Sequence, residues 1–97
     1  MIRHSVVFKL RHLSHSEEEK NFLQEARKLS SIPGVTHFEC LKQTGKKNKF
    51  DFAIFMTFGD NRIYEAYTNH EDHIRFVEQH CMNSVEDFME LDYEPLD

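Results

Sequence analysis

The sequence has few of the residues that break or cross-link a chain. Its 97 residues include three glycines, two prolines, two cysteines and no tryptophan. Together with 39% hydrophobic and 30% charged residues, this composition is typical of an ordered globular protein and argues against disorder. A chain of 97 residues is long enough for one core, so we expect a single domain over residues 1–97.

The sequence also lacks a disulfide framework, a membrane span, a signal peptide and the positive charge of a nucleic-acid-binding protein. Cys40 on a predicted strand and Cys81 on the apolar side of a predicted helix suit small buried residues better than a disulfide framework. No apolar run approaches the roughly 20 residues of a membrane span, and the N-terminus lacks the apolar segment of a signal peptide. We therefore expect a cytoplasmic protein with no membrane partner. The net charge of −5 disfavours nucleic-acid binding, which relies on clustered lysine and arginine.

The periodicity of apolar residues predicts an α+β domain. Strands are predicted over residues 2–11, 35–42, 50–58 and 89–93. One helix is predicted between a capping box at Ser16 and Pro33, which cannot continue a helix. A second helical region follows Asp60. Thr68 and Asn69 are poor helix formers and good caps, so the second region should break there. The predicted order is β-α-β-β-α-α-β, a ferredoxin-like plan with a four-stranded antiparallel sheet.

The third predicted strand is apolar on one face and half apolar on the other, where Phe55 lies. Two helical regions cover only one face of a four-stranded sheet. The simplest cover for the other face is the sheet of a second copy, which predicts a homodimer paired through that face. The alternative is that Phe55 is a single exposed apolar residue, which needs no partner.

Histidines occupy apolar faces of two predicted elements. His4 lies on the apolar face of the first strand, and His73 and His80 lie on that of a helix over residues 70–81. Burying an imidazole has a cost, because both ring nitrogens need partners. A helix break near Thr68 would let Tyr67 and His73 converge on one cleft. The alternative is that the histidines only hydrogen-bond core groups.

The histidine spacing argues against a metal site. His73 and His80 would lie roughly 10 Å apart along a helix, which is too far for both to bind one ion. His70 and His73 alone form a weak pair without a nearby third ligand. We therefore predict no cofactor and no metal bound by side chains.

The chain resembles the stress-responsive dimeric α/β-barrel family, known as the Dabb family. The resemblance rests on five stretches that span nearly the whole chain: Ile2 to Leu10, Ile32-Pro33-Gly34-Val35, Tyr67-Thr68-Asn69-His70 with His73, Phe76 to His80, and Asp92-Tyr93-Glu94. It implies a ferredoxin-like subunit whose sheet pairs with that of a partner to form a barrel.

The resemblance also implies a site. A plant polyketide cyclase of the olivetolic acid type, similar in fold, performs an aldol condensation with a tyrosine and a histidine. These roles fall on Tyr67 and His73, and a further pocket histidine falls on His4. Phe52 stands where that cyclase has another histidine, and Glu71 replaces a proline that is common in the family.

Two further features of related proteins concern a bound cation and a tryptophan. Some members hold a cation on backbone carbonyls, which would map to Leu29, Ile32 and Val35. Haem-degrading monooxygenases share the same barrel, but their sequence pattern includes a tryptophan. This chain has no tryptophan, so it does not resemble them in that respect.

These observations lead to one leading interpretation and one alternative. The leading interpretation is a homodimer that binds a small, mostly apolar carbonyl compound, with acid/base chemistry of the cyclase type. The expected catalytic residues are His4, Tyr67 and His73, and the expected ligand-binding residues are Phe52, Phe58 and His70. The alternative is a non-catalytic, stress-related structural oligomer, in which side chains fill the cleft and protein groups bond both histidines fully.

Overall fold

The computed structural model describes all residues, Met1–Asp97. The strands are β1 (Ile2–Leu10), β2 (Thr36–Lys42), β3 (Phe52–Phe58) and β4 (Val85–Tyr93). The helices are α1 (Glu17–Arg27), α2 (Asn61–Thr68), α3 (Glu71–Phe76) and the short α4 (Met82–Ser84). A 3₁₀ turn over Lys28–Ser31 extends α1, and a π-helical turn over Val77–Cys81 joins α3 to α4.

The four strands form one antiparallel sheet in the order β2-β3-β1-β4. Because β1 and β3 lie in the centre and the helices connect β1 to β2 and β3 to β4, this is the ferredoxin-like arrangement. The predicted fold class is confirmed. None of the helices combines the length and the hydrophobicity of a membrane span.

Helix α1 starts where the predicted capping box lies. The Ser16 hydroxyl accepts a hydrogen bond from the Glu19 backbone N–H at 3.2 Å. The Glu19 carboxylate accepts one from the backbone N–H of His15 at 3.1 Å, one residue before the usual partner. These bonds satisfy free N–H groups at the helix start.

The predicted break in the second helical region is also present. Helix α2 begins after Asp60, whose carboxylate accepts a hydrogen bond from the Ile63 N–H at 2.9 Å, and it ends at Thr68. His70 then caps α3, since its Nδ1 accepts a hydrogen bond from the backbone N–H of Asp72 at 3.0 Å. The break therefore changes the direction of the chain between Tyr67 and the next helix.

The hydrophobic core lies between the helices and one face of the sheet. Its buried members are Phe8, Leu10, Phe22, Ala26, Leu29, Ile32, Ile54, Met56, Phe58, Tyr67 and Phe76. The other face of the sheet is only partly covered. Leu41, Met89, Leu91 and Tyr93 are exposed large side chains, and Phe55 is half-buried on the same face.

Strand β4 differs from the sequence prediction in its start, and the helix over residues 70–81 differs in which residues it buries. Strand β4 begins at Val85 rather than residue 89, because its pairing with β1 continues to Leu10 despite a bulge. On the helix over residues 70–81, Phe76 is buried but Ile74 and Val77 are exposed. At about 100° per residue, Val77 and Ile74 lie about 100° and 160° around the helix from Phe76, so the helix buries only part of the predicted apolar face.

Candidate functional site

A cavity of about 360 Å³ lies between the sheet and the helices. Its walls come from β1, β3 and β4 on the sheet side and from α1, α2 and the helix over residues 71–84 on the other. Thirteen of its 18 lining residues are hydrophobic, so the cavity suits a mostly apolar molecule. Its polar groups include the imidazoles of His4 and His73 and the phenol of Tyr67.

His4 is held by a polar network on its β4 side. Its Nδ1 lies 2.6 Å from Asp92 Oδ1 and 2.8 Å from the Tyr64 hydroxyl oxygen. The Tyr64 hydroxyl donates to Asp92 Oδ2 at 2.8 Å. Strand pairing explains the closeness, because His4 and Asp92 are direct partners between β1 and β4.

This network determines which nitrogen of His4 bears a proton. An ionised carboxylate only accepts hydrogen bonds, so the Nδ1 that contacts Asp92 is the donor. No protein group bonds Nε2 of His4, although the residue is only 5% exposed and lines the cavity. Because every fully buried polar side-chain atom in the protein has a partner, this Nε2 retains access to the cavity.

His73, like His4, is bonded to the protein through Nδ1 only, but its partner is a backbone carbonyl. Its Nδ1 lies 3.0 Å from the backbone carbonyl oxygen of Thr68, which only accepts, so Nδ1 donates and Nε2 is left as an acceptor. Burial is the main factor that lowers the pKa of His73 below its ordinary 6.5, although the bond to Thr68 opposes it. Near neutral pH, His73 is therefore an uncharged base.

Tyr67 lies between the two histidines. Its ring centroid is 4.6 Å from that of His73 and 6.2 Å from that of His4. The residue is 2% exposed, lines the cavity and makes no hydrogen bond through its hydroxyl to the protein. Burial raises its pKa well above 10, so the phenol stays protonated and offers a donor to the cavity.

The family follows from a comparison of the whole sequence with family models. Residues 2–95 match the family model Dabb, described as Stress responsive A/B Barrel Domain. The chain belongs to the Dabb family. The resemblance inferred from the sequence is thereby confirmed.

Solved structures agree with this placement of the Dabb chain. A dabb family protein with a ferredoxin-like fold from Mesorhizobium loti is 50% identical, with a TM-score of 0.97 over 99% of this chain and 97% of that one. A hydroxynitrile lyase from Passiflora edulis is 15% identical, with a TM-score of 0.82 over 95% and 90% of the two chains. A dimeric ferredoxin-like protein of unknown function from Thermobifida fusca is 19% identical, with a TM-score of 0.80 over 97% and 90%. At 15% and 19% identity, the last two structures show only that the fold is similar. No curated protein matches the sequence.

The Dabb structure brings together three of the six predicted site residues. His4, Tyr67 and His73 share the cavity, whereas Phe52, Phe58 and His70 do not line it. Phe58 is fully buried and stacks on Tyr64 with ring centroids 4.9 Å apart.

The other two have local packing roles. Phe52 packs against Phe8 at 5.8 Å, and the side chain of His70 is used as the cap of α3. Alternation along a strand placed both phenylalanines on the correct face, but it could not show which of them the helices would cover.

Two residues of the site, Tyr64 and Asp92, were not among the sequence candidates. The sequence places Asp92 on the last strand and in a stretch that carries the family resemblance, but its role depends on the register of β4 with β1, which the sequence does not show. A signal for Tyr64 was present, since it lies three residues before Tyr67 and so occupies a neighbouring position on α2.

The backbone cation site that the family resemblance places at Leu29, Ile32 and Val35 stays a prediction. The carbonyl of Leu29 accepts a hydrogen bond from the Ile32 N–H at 3.1 Å, and that of Ile32 accepts one from the Val35 N–H at 3.2 Å. These bonds close the turn and leave each carbonyl oxygen a second lone pair. No group of three or more His, Cys, Asp or Glu side chains is placed to hold a metal ion.

Proposed function

We propose that the cavity binds a small, mostly apolar carbonyl compound and performs acid/base chemistry on it. The observation that carries this proposal is the meeting of three unbonded polar atoms on the wall of one cavity. They are Nε2 of His4, Nε2 of His73 and the hydroxyl of Tyr67. Two of these groups accept a proton and one donates a hydrogen bond, which is the set that enolate chemistry requires.

In this proposal His73 acts as the general base. Its Nε2 takes a proton from the carbon next to the carbonyl, while the Tyr67 hydroxyl donates a hydrogen bond to the oxygen that becomes the enolate. The enolate carbon then forms a carbon–carbon bond with a second carbonyl of the same molecule, and the resulting alkoxide takes the proton back from His73. General-base catalysis of this type contributes about 10²- to 10⁴-fold in rate.

His4 completes the site as a second acceptor. The Asp92 carboxylate fixes the orientation of the imidazole, as the acid does in a Ser-His-Asp triad, so that Nε2 points away from the sheet edge. A solved structure with this fold is named a hydroxynitrile lyase, which supports an enzymatic use of such a cavity.

The competing interpretation as a purely structural oligomer expected a filled cleft and fully bonded histidines. An open cavity of about 360 Å³ and two imidazoles bonded only through Nδ1 favour a ligand site instead.

We also propose that the protein is a homodimer paired through the free face of the sheet. On this face Val7 pairs with Met89, and Ser5 lies between Leu91 and Phe55. The exposed apolar side chains of β4 would gain cover from a second copy. Solved structures of similar fold from Bacteroides fragilis and Thermobifida fusca are described as dimeric, which supports this arrangement.

The function is tested by hydrogen exchange on a model ketone. In D₂O, the wild-type protein should accelerate the exchange of the methyl protons of 4-acetylbenzamide beyond an equal concentration of free imidazole. His73→Ala and Tyr67→Phe should each reduce the acceleration by at least about tenfold, because they remove the base and the enolate donor. Loss of the methyl signal in ¹H NMR measures the rate.

The matched control is His80→Ala, since His80 lies on the same helical segment but does not line the cavity. It should exchange the ketone at the wild-type rate. A wild-type rate in His73→Ala would remove the catalytic assignment, whereas binding without exchange in the wild type would leave only a binding site.

A further inference from the structure

We infer that the cavity discriminates by charge, accepting uncharged or cationic carbonyl compounds and rejecting anionic ones, and that Glu90 strengthens this preference. The inference rests on the proposed function, because it defines the substrate class of the same cavity. It concerns the side chains around the three polar atoms rather than those atoms themselves.

The charged groups that line the cavity are all acidic. They are Glu86, Asp87 and Glu90, and neither lysine nor arginine lines it. Lys49 pairs with Asp87, whereas Glu86 and Glu90 have no ion-pair partner. A ligand with a carboxylate or phosphate would therefore leave water without gaining a countercharge, which is unfavourable in an apolar cavity.

The histidines do not supply a compensating positive charge. Burial lowers the pKa of His73, so its ring is uncharged near neutral pH. His4 is paired with Asp92, and that pair has either no net charge or a negative one. The wall that holds the acid/base groups therefore attracts no anion.

The register of the sheet places Glu90 beside the reactive groups. Phe88, Glu90 and Asp92 are paired with Phe8, Val6 and His4 respectively, so Glu90 lies two residues from the Asp92 that holds His4. Burial is the main cause of the raised pKa of Tyr67, and the negative charge of Glu90 raises it further. The same charge raises the pKa of His73 against the larger effect of burial.

A second observation shows that this is a ligand site and not only a cluster of acidic side chains. Tyr67 is only 2% exposed and lines the cavity, and its hydroxyl has no protein partner and so retains access to the cavity. A buried donor of this kind needs an acceptor, and the carbonyl oxygen of an uncharged ligand supplies one. The carboxylates then contact the part of the ligand nearest to β4.

Three probes of nearly equal size test the preference. They are 4-acetylbenzamide, which is uncharged, 4-acetylbenzoate, which is anionic, and 4-(aminomethyl)acetophenone, which is cationic. Each is titrated into the wild-type protein at low salt, and the shifts of the Tyr67 and His73 ring signals in NMR give the Kd. We expect the amide and the amine to bind at least about tenfold more tightly than the benzoate.

The variant Glu90→Gln tests the assigned residue, and Glu65→Gln is its matched control. Glu65 is an exposed carboxylate on α2 that does not line the cavity. Both variants replace a glutamate with a glutamine, so they change the net charge equally. Because Glu90 is exposed, its charge is partly screened, and its loss should tighten benzoate binding by about threefold and weaken amine binding to a similar degree. Glu65→Gln should change neither.

The outcomes separate this inference from the proposed function. If the benzoate binds as tightly as the amide, the charge preference is wrong while the ligand cavity remains. If Glu90→Gln behaves as Glu65→Gln does, Glu90 is not a source of the preference. If none of the three probes shifts the Tyr67 or His73 signals, the cavity does not bind such ketones, and the proposed function fails together with this inference.

Discussion

At the scale of single residues, backbone and carboxylate acceptors fix the proton positions that the chemistry needs. The Thr68 carbonyl holds the Nδ1 proton of His73, and the Asp92 carboxylate holds that of His4. Uncharged His73 therefore presents Nε2 as an acceptor, the Tyr67 phenol between the rings is a donor, and the bond to Asp92 leaves Nε2 of His4 without a protein partner. The protein rather than the ligand thus assigns the roles of His73 and Tyr67.

This arrangement predicts the pH dependence of ketone exchange. Burial disfavours the imidazolium form of His73, so its pKa in the folded protein lies below the ordinary 6.5. The base form therefore persists into mild acid, and the exchange rate should fall only below pH 6.5 as His73 gains a proton. Glu90→Gln removes a charge that favours the imidazolium, so it should move the midpoint further down.

The measurement is the exchange rate of 4-acetylbenzamide from pH 4.5 to 8. A midpoint above 6.5 would show that the titrating base is not His73 in the environment described.

At the scale of elements, the break between α2 and α3 makes the site. Helix α2 ends at Thr68, and the carbonyl of that last residue becomes the partner of His73. A continuous helix would point Tyr67 and His73 about 120° apart, whereas here their ring centroids lie 4.6 Å apart. The break is therefore a structural requirement for the pair.

Much of this could be predicted from local sequence signals. Ser16, Asp60 and the Thr68-Asn69 pair marked helix ends correctly, and the placement of His4 on the apolar face of β1 was correct. What the sequence could not supply was strand register and helix geometry. The pairing of Asp92 with His4 depends on how β4 aligns with β1, and the apolar pattern did not show which part of the face of the helix over residues 70–81 is buried.

The turn before β2 gives a stability prediction at this scale. Gly34 has a φ of +91°, and a Cβ there would collide with the side chain of Ile63 on α2. Gly34→Ala should lower the free energy of unfolding by at least about 2 kcal/mol, through backbone strain and displacement of the helix that holds Tyr67. Urea denaturation followed by circular dichroism measures the change.

Gly45→Ala is the control, because a Cβ at Gly45 meets only the ends of the Gln43 and Asn48 side chains. It should change stability by less than about 1 kcal/mol. Equal effects of the two variants would mean that the turn at Gly34 does not constrain α2.

At the scale of the whole molecule, the two faces of the sheet have separate roles. The face under the helices holds the cavity, and the free face holds the exposed apolar side chains of β4. The same strand serves both, since Glu90 and Asp92 face the cavity side while Met89, Leu91 and Tyr93 face the other. Dimer formation would therefore stabilise the strand that orients His4.

The dimer is tested by a charge on the free face. Leu91→Glu should convert a dimer into a monomer in sedimentation velocity at micromolar concentration, because the carboxylate would be buried without a partner. Leu13→Glu introduces the same change at an exposed position outside the sheet and should remain a dimer. A wild-type monomer would contradict the proposed pairing.

The most direct test of the site is the proton state of its imidazole nitrogens, measured by long-range ¹H–¹⁵N NMR at pH 7. We predict that His73 is uncharged with its proton on Nδ1, that Nδ1 of His4 is protonated, and that 4-acetylbenzamide shifts the Nε2 signals of both rings. Asp92→Asn should disturb the His4 signals and leave those of His73 in place. A proton on Nε2 of His73, or Nε2 signals that no ketone moves, would contradict the assignment of these two nitrogens as the ligand-facing groups of the cavity.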